Sequence, residues 1–149
     1  MTMDQIPRMP SRRALGTAQL LEHVARRLLE RRDRQDLHPV QWSALRYFAR
    51  AGRRTATVVG LSRYLGNTSG STSRTVKVLV DRKLLEVTPS QYDGRSLTFS
   101  LTDAGWEALA DDPLNEVAAA LELLAADDLT GLSGILEQVF AELSRQRRL

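Results

Sequence analysis

The chain has 149 residues, 42% hydrophobic and 26% charged, with 21 basic and 18 acidic side chains and a net charge of +3. That is the length of one domain, apolar enough to bury a core and too apolar for wholesale disorder. Cysteine is absent and the only histidines are His23 and His38, which excludes disulfides, thiol chemistry and cysteine zinc sites and leaves a metal centre unexpected. No apolar run is long enough to span a bilayer, and the segment MTMDQIPRMPSRR lacks the apolar core of a secretory signal. The expectation is a cytoplasmic protein without cofactor.

The charge is unevenly placed. Residues 1–95 hold 18 of the 21 basic and 8 of the 18 acidic side chains, whereas residues 96–149 hold 3 and 10. Such segregation suggests a polyanion-binding part joined to a part with another task. Nineteen of the basic residues are arginine, which suits bidentate phosphate and guanine contacts. Codon bias in a G·C-rich genome would also raise arginine, but it would not segregate the sign.

Residues 1–10 read as frayed. From Ser11, a candidate N-cap, Leu15, Ala18, Leu21, Ala25, Leu28 and Leu29 recur at helical spacing to about Asp33. His38-Pro39 breaks this helix, and Pro39 suits the first turn of a second one carrying Val40, Trp42, Leu45, Phe48 and Ala49. Thr57 caps a short third helix closed by Gly66, and Thr68 caps a fourth from about Ser69 to Arg82. Two helices joined by a few residues around a glycine predict a helix-turn-helix. Leu84, Leu85, Val87 and Thr88 then read as a strand. Leu97, Phe99 and Leu101 alternate as a second strand beyond the Asp93-Gly94 turn signal. This hairpin is a wing. Thr102 or Asp103 caps a long helix to about Leu124 that Pro113 kinks or restarts, with Trp106 expected to pack at the wing-to-bundle junction, core by default. Asp127 and Asp128 open a last helix with apolar positions from Leu129 to Leu143.

The fourth helix supplies the first candidate site. Ser69, Ser71, Ser73, Arg74 and Lys77 lie opposite its apolar face. Small hydroxyl residues let a helix enter a major groove about 12 Å wide, and an arginine reaches guanine O6 and N7. The wing tip supplies the second: Arg95 suits a narrow minor groove, and Asp93 can brace its guanidinium. A solvated polar face and a routine surface ion pair are the plain alternatives.

Leu61-Ser-Arg-Tyr-Leu-Gly66, Arg74, Leu79, Leu84, Asp93-Gly-Arg95 and Leu101-Thr-Asp-Ala-Gly105 together resemble the MarR family of winged helix-turn-helix transcriptional regulators. The pattern Asp-x-Arg, five residues, Leu-Thr-x-x-Gly is its most specific mark. The resemblance implies a mainly α fold with a small β-hairpin wing, in which residues 38–102 form the winged helix-turn-helix DNA-binding domain. Helices in 11–33 and 103–146 would form a dimerisation bundle. It further implies a homodimer on pseudo-palindromic double-stranded DNA, most often a repressor of a neighbouring operon released by a small aromatic or phenolic ligand. His23, Trp42, Arg46 and Tyr47, with Arg50, lie near where the family's pocket forms. An arginine there could hold a carboxylate and Trp42 could stack on a ring. Alternatively Trp42 and Tyr47 are core, and the arginines face solvent or DNA. Lys83 stands where the family often has glycine, Thr72 where an aliphatic residue is usual, Gly70 near the start of the fourth helix, and Ala125 at a usual capping hydroxyl.

An enzyme is not expected: no Ser-His-Asp set, Gly-x-Gly-x-x-Gly or P-loop is present. Asp111-Asp112 and Asp127-Asp128 read as helix punctuation. A winged-helix protein-interaction or dimerisation module without specific DNA binding is the alternative, but it would not need the cationic set Arg74, Lys77 and Arg95.

Overall fold

The computed structural model describes residues 9–30, 36–92 and 94–146. The chain divides into two compact units, Met1–Asp112 and Pro113–Leu149. The first contains α1 (Arg12–Glu30), α2 (Pro39–Arg50), α3 (Val58–Leu65), α4 (Ser69–Asp81), β1 (Leu85–Pro89), β2 (Leu97–Leu101) and α5 (Asp103–Ala110); the second contains α6 (Leu114–Leu121) and α7 (Ala126–Gln146).

Local chemistry sets these boundaries. Ser11 Oγ accepts from the Ala14 N–H at 3.1 Å and starts α1. Pro39 occupies the first position of α2, and the Gln41 side chain reaches back to accept from the His38 N–H at 2.8 Å. Thr57 caps α3 by accepting from Gly60 N–H, and Gly66 ends it at φ 65°, a conformation that favours glycine. Thr68 caps α4 by accepting from Ser71 N–H. The turn between α3 and α4 is held by Ser62 Oγ, which donates to the Asn67 carbonyl at 2.7 Å.

The exit from α4 is a Schellman motif. Leu84 N–H bonds the Leu79 carbonyl and Lys83 N–H bonds the Val80 carbonyl, each at 2.9 Å, with Lys83 at φ 59°. That is the glycine position of the motif, here filled by lysine. β1 and β2 pair antiparallel from Leu85↔Leu101 to Pro89↔Leu97, and Ser90 N–H closes the hairpin on the Ser96 carbonyl at 2.8 Å. On its other edge β2 is tied to the loop before α3, where Phe99 N–H donates to the Ala56 carbonyl at 2.9 Å.

Among the described residues, every buried hydrophobic side chain falls between Leu37 and Ala108. Leu45, Leu61, Leu79 and Leu85 are fully enclosed, and Trp42, Phe48, Val76, Leu84, Phe99 and Leu101 complete the centre. Thr72 is buried where an aliphatic side chain was the usual expectation; its hydroxyl donates to the Thr68 carbonyl at 2.9 Å, so no polar atom is stranded. α1, α6 and α7 have no buried residue.

Pro113 restarts the helix after the wing, one of the two outcomes expected of it: α5 ends at Ala110, and Pro113 stands at the N-cap of α6. Proline lacks an N–H to bond the preceding turn, so the helix restarts there and then ends at Leu121 rather than near Leu124. Trp106 is 53% exposed and lies outside the core, because Gly105 and Ala108 form the buried side of α5.

Candidate nucleic-acid interface

α4 presents two opposite faces. Thr72, Val76 and Leu79 are buried. At 100° per residue, Gly70, Ser73, Arg74 and Lys77 fall within an arc of about 100° on the far side, and all four are exposed. Ser69 and Ser71 flank that arc, Ser69 exposed and Ser71 half-buried beside the Thr68 cap. Lys77 Nζ pairs with Asp81 at 2.8 Å, one turn along. Arg74 extends from the middle of the outer face.

The wing tip carries Arg95, exposed in the loop between β1 and β2. Asp93, expected to brace it, lies outside the described residues. The loop leans instead on a contact that sequence reading missed: the Arg54 guanidinium stands over the Tyr92 ring, 4.7 Å from its centroid. The only advance signal was the adjacent pair Arg53-Arg54 in the loop between α2 and α3.

The motif Leu-Thr-x-x-Gly has a mechanical meaning here. Thr102 Oγ1 accepts from Gly105 N–H at 3.0 Å, capping α5, and donates to the Lys83 carbonyl at 2.6 Å. Thr102 N–H bonds the Leu84 carbonyl at 3.2 Å. A Cβ on residue 105 would collide with that same Leu84 carbonyl, so only glycine lets α5 approach so closely. One threonine and one glycine thus staple the end of α4, both wing strands and α5 together.

None of the four residues read as a ligand set lines the cleft described below. Trp42 is 3% exposed in the core. Arg46 places its guanidinium fork on Asp112, Nε to Oδ2 at 2.5 Å and Nη2 to Oδ1 at 2.7 Å. Asp112 is 4% exposed, so it is a buried carboxylate held by a bidentate arginine rather than mere helix punctuation. Tyr47 donates its hydroxyl to the Thr55 carbonyl at 2.6 Å and packs on Phe48 and Tyr64. His23 is exposed on α1. A cleft of about 460 Å³ does occur, but between the wing and the loop 51–56, lined by Arg53, Thr88, Gln91, Tyr92 and Thr98 over Phe48 and Phe99.

A helix-turn-helix whose second helix shows a polar, cationic face, followed by a hairpin locked to it, defines a winged helix-turn-helix. Residues 35–96 match the model of the MarR family. No curated protein matches the chain by sequence. Among solved structures, a probable transcriptional regulator from Pseudomonas aeruginosa is 25% identical with a TM-score of 0.63, over 91% of this chain and 97% of that one. A MarR/EmrR family transcriptional regulator from Acinetobacter sp. ADP1 is 21% identical with a TM-score of 0.65, over 91% and 99%. A MepR variant from S. aureus, bound to an oligodeoxyribonucleotide, is 17% identical with a TM-score of 0.58, over 85% and 97%. Over residues 35–96 the chain is thus similar to the MarR family, and it shares the fold of these solved regulators. No described helix is long and apolar enough to cross a membrane.

Proposed function

We propose that the protein is a homodimeric, sequence-specific repressor that reads a pseudo-palindromic operator in double-stranded DNA. Residues 38–102 read the DNA, and helices within 11–33 and 103–146 join two copies. Ser69, Ser71, Ser73, Arg74 and Lys77 enter the major groove and Arg95, with Asp93 beside it, the minor groove. The observation that carries this reading is the outer face of α4, cationic and small enough for a groove, on the same rigid body as the wing. Dimerisation is supported by the exposed apolar side chains of α1 and α7, among them Leu20, Leu29, Ile135 and Phe140.

Release by a small aromatic ligand is part of the proposal. MepR, 16% identical, has been solved with ethidium bromide. A carboxylate ligand at Arg46 would have to displace Asp112, so ligand binding and loss of that ion pair are coupled. Selection from a random duplex library at fixed salt tests the whole reading. Enrichment of a pseudo-palindrome with half-sites about ten base pairs apart is expected. Retained binding with no enriched sequence would overturn it in favour of a protein-interaction role.

A further inference from the structure

We propose that Arg53 and Arg54, in the loop between α2 and α3, form with Tyr92 a second DNA contact, which grips the phosphate backbone beside the groove entered by Arg95. The proposal rests on the DNA-binding reading above and extends it to a segment outside the helix-turn-helix and the wing strands.

Three observations place these arginines at the duplex. First, the loop is fixed to the wing: Ala56 accepts a backbone bond from Phe99 at 2.9 Å, and Arg54 stacks on Tyr92 at 4.7 Å. Second, Tyr92 and Arg95 share one hairpin loop whose ends are joined by Ser90 and Ser96. Three residues of chain span at most about 10 Å, against a minor groove about 6 Å wide. With Arg95 in the groove, Arg54 is then within reach of its phosphate rim. Third, the cleft between loop and wing has the lining a phosphodiester needs. Arg53 and Gln91 offer a cation and an amide, Thr88 and Thr98 add hydroxyls bonded to each other at 3.1 Å, and no carboxylate lines it among the described residues. Glu86, bonded to Ser100 at 3.1 Å, lies at the base of the hairpin, away from the tip.

An enclosed small-molecule pocket fits these facts less well. Such pockets are mostly apolar and enfold the ligand. Here the apolar floor, Phe48 and Phe99, is 5% and 8% exposed and already engaged with the core; the open part of the cleft mixes Pro89 and the Tyr92 ring with the cation of Arg53 and the amide of Gln91. The role of Tyr92 is positioning: its ring face holds an arginine by cation–π attraction while the outer edge of the guanidinium still reaches an anion.

The test is the salt dependence of binding to the selected operator. Each phosphate neutralised contributes about 0.9 to the slope of log K against log salt. Arg53→Gln with Arg54→Gln is expected to lower the slope by between about 1 and 2 while leaving base preference unchanged. Arg53→Lys with Arg54→Lys keeps the charge and is expected to retain the slope, which separates charge from any effect on folding. Tyr92→Leu is expected to cost part of the Arg54 share. An unchanged slope in the double glutamine variant, with wild-type binding intact, overturns the proposal and leaves the DNA reading standing. Failure of the wild type itself to bind DNA overturns both. Stabilisation by an aromatic carboxylate that is lost in Arg53→Gln, with the slope unchanged, makes the cleft a ligand site and overturns the phosphate assignment.

Discussion

Leu79 in α4 and Phe140 in α7 are both large apolar side chains on helices, yet Leu79 is fully buried and Phe140 is 74% exposed. The contrast extends to their surroundings. The winged region closes its own core, from Leu37 to Ala108, around Leu45, Leu61 and Leu79. α7 repeats apolar residues at Leu132, Ile135, Leu136, Val139, Phe140 and Leu143 and buries none of them. One region covers its own apolar side chains, whereas α7 leaves its stripe exposed, a surface that the proposed dimer would cover.

The same truncation in each region breaks or sharpens that contrast. Leu79→Ala is expected to cost about 3–5 kcal/mol, since an enclosed leucine leaves a cavity. Denaturant unfolding should show that loss at every protein concentration. Phe140→Ala is expected to leave the winged core intact and to weaken dimerisation, by about 2 kcal/mol or roughly 30-fold in dissociation constant if the ring is central to the interface. Sedimentation equilibrium reads this directly. A concentration-independent loss of stability from Phe140→Ala would show that α7 is covered by its own chain and would remove the argument for the dimer.

Ion pairs give the next contrast. Arg46–Asp112 joins residues distant in sequence and hides its carboxylate, whereas Lys77–Asp81 spans one helical turn with both side chains more than half exposed. Arg46→Ala removes the bidentate cation from the buried Asp112 carboxylate. The expected cost is about 2 kcal/mol, below that of a fully buried pair because the arginine itself is partly exposed. Lys77→Ala breaks the exposed pair and should cost well under 1 kcal/mol of stability, while weakening DNA binding. Thermal unfolding beside operator titration separates the two. Equal stability losses would mean that the Arg46 pair is as solvated as its surface counterpart.

Much of the winged region was legible because its signals are local. Ser11, Thr57, Thr68 and Thr102 cap helices within three residues of themselves. Gly66 and the Leu101-to-Gly105 pattern report backbone demands that few residues meet. What escaped were contacts between distant positions. Asp112 reads as helix punctuation until α2 brings Arg46 to it. Arg54 meets Tyr92 across a fold that no periodicity encodes. Trp106 reads as a junction residue, core by default, but it is 53% exposed, because the close approach at Gly105 sets which face of α5 turns in.

Gly105 and Lys83 form the last contrast, two ends of one staple with opposite fits. Gly105 is the residue its position demands, and Gly105→Ala is expected to cost about 1–3 kcal/mol by driving a methyl into the Leu84 carbonyl. Lys83 holds a left-handed backbone at φ 59° where a side chain is disfavoured. Lys83→Gly removes that strain but gives the unfolded chain more freedom. The two terms oppose each other, and the strain is the larger by about 0.5–1 kcal/mol, so the variant is expected to melt about 1–4 °C higher. The same substitution deletes a cation beside the wing, and a salt slope lower by about 0.9 would mark Lys83 as a phosphate contact. A variant that melts higher yet binds operator less tightly would mean that lysine is kept at this turn for DNA, at the expense of the fold. A lower melting temperature would mean instead that the aliphatic stem of Lys83 packs well enough to outweigh the strain of its backbone.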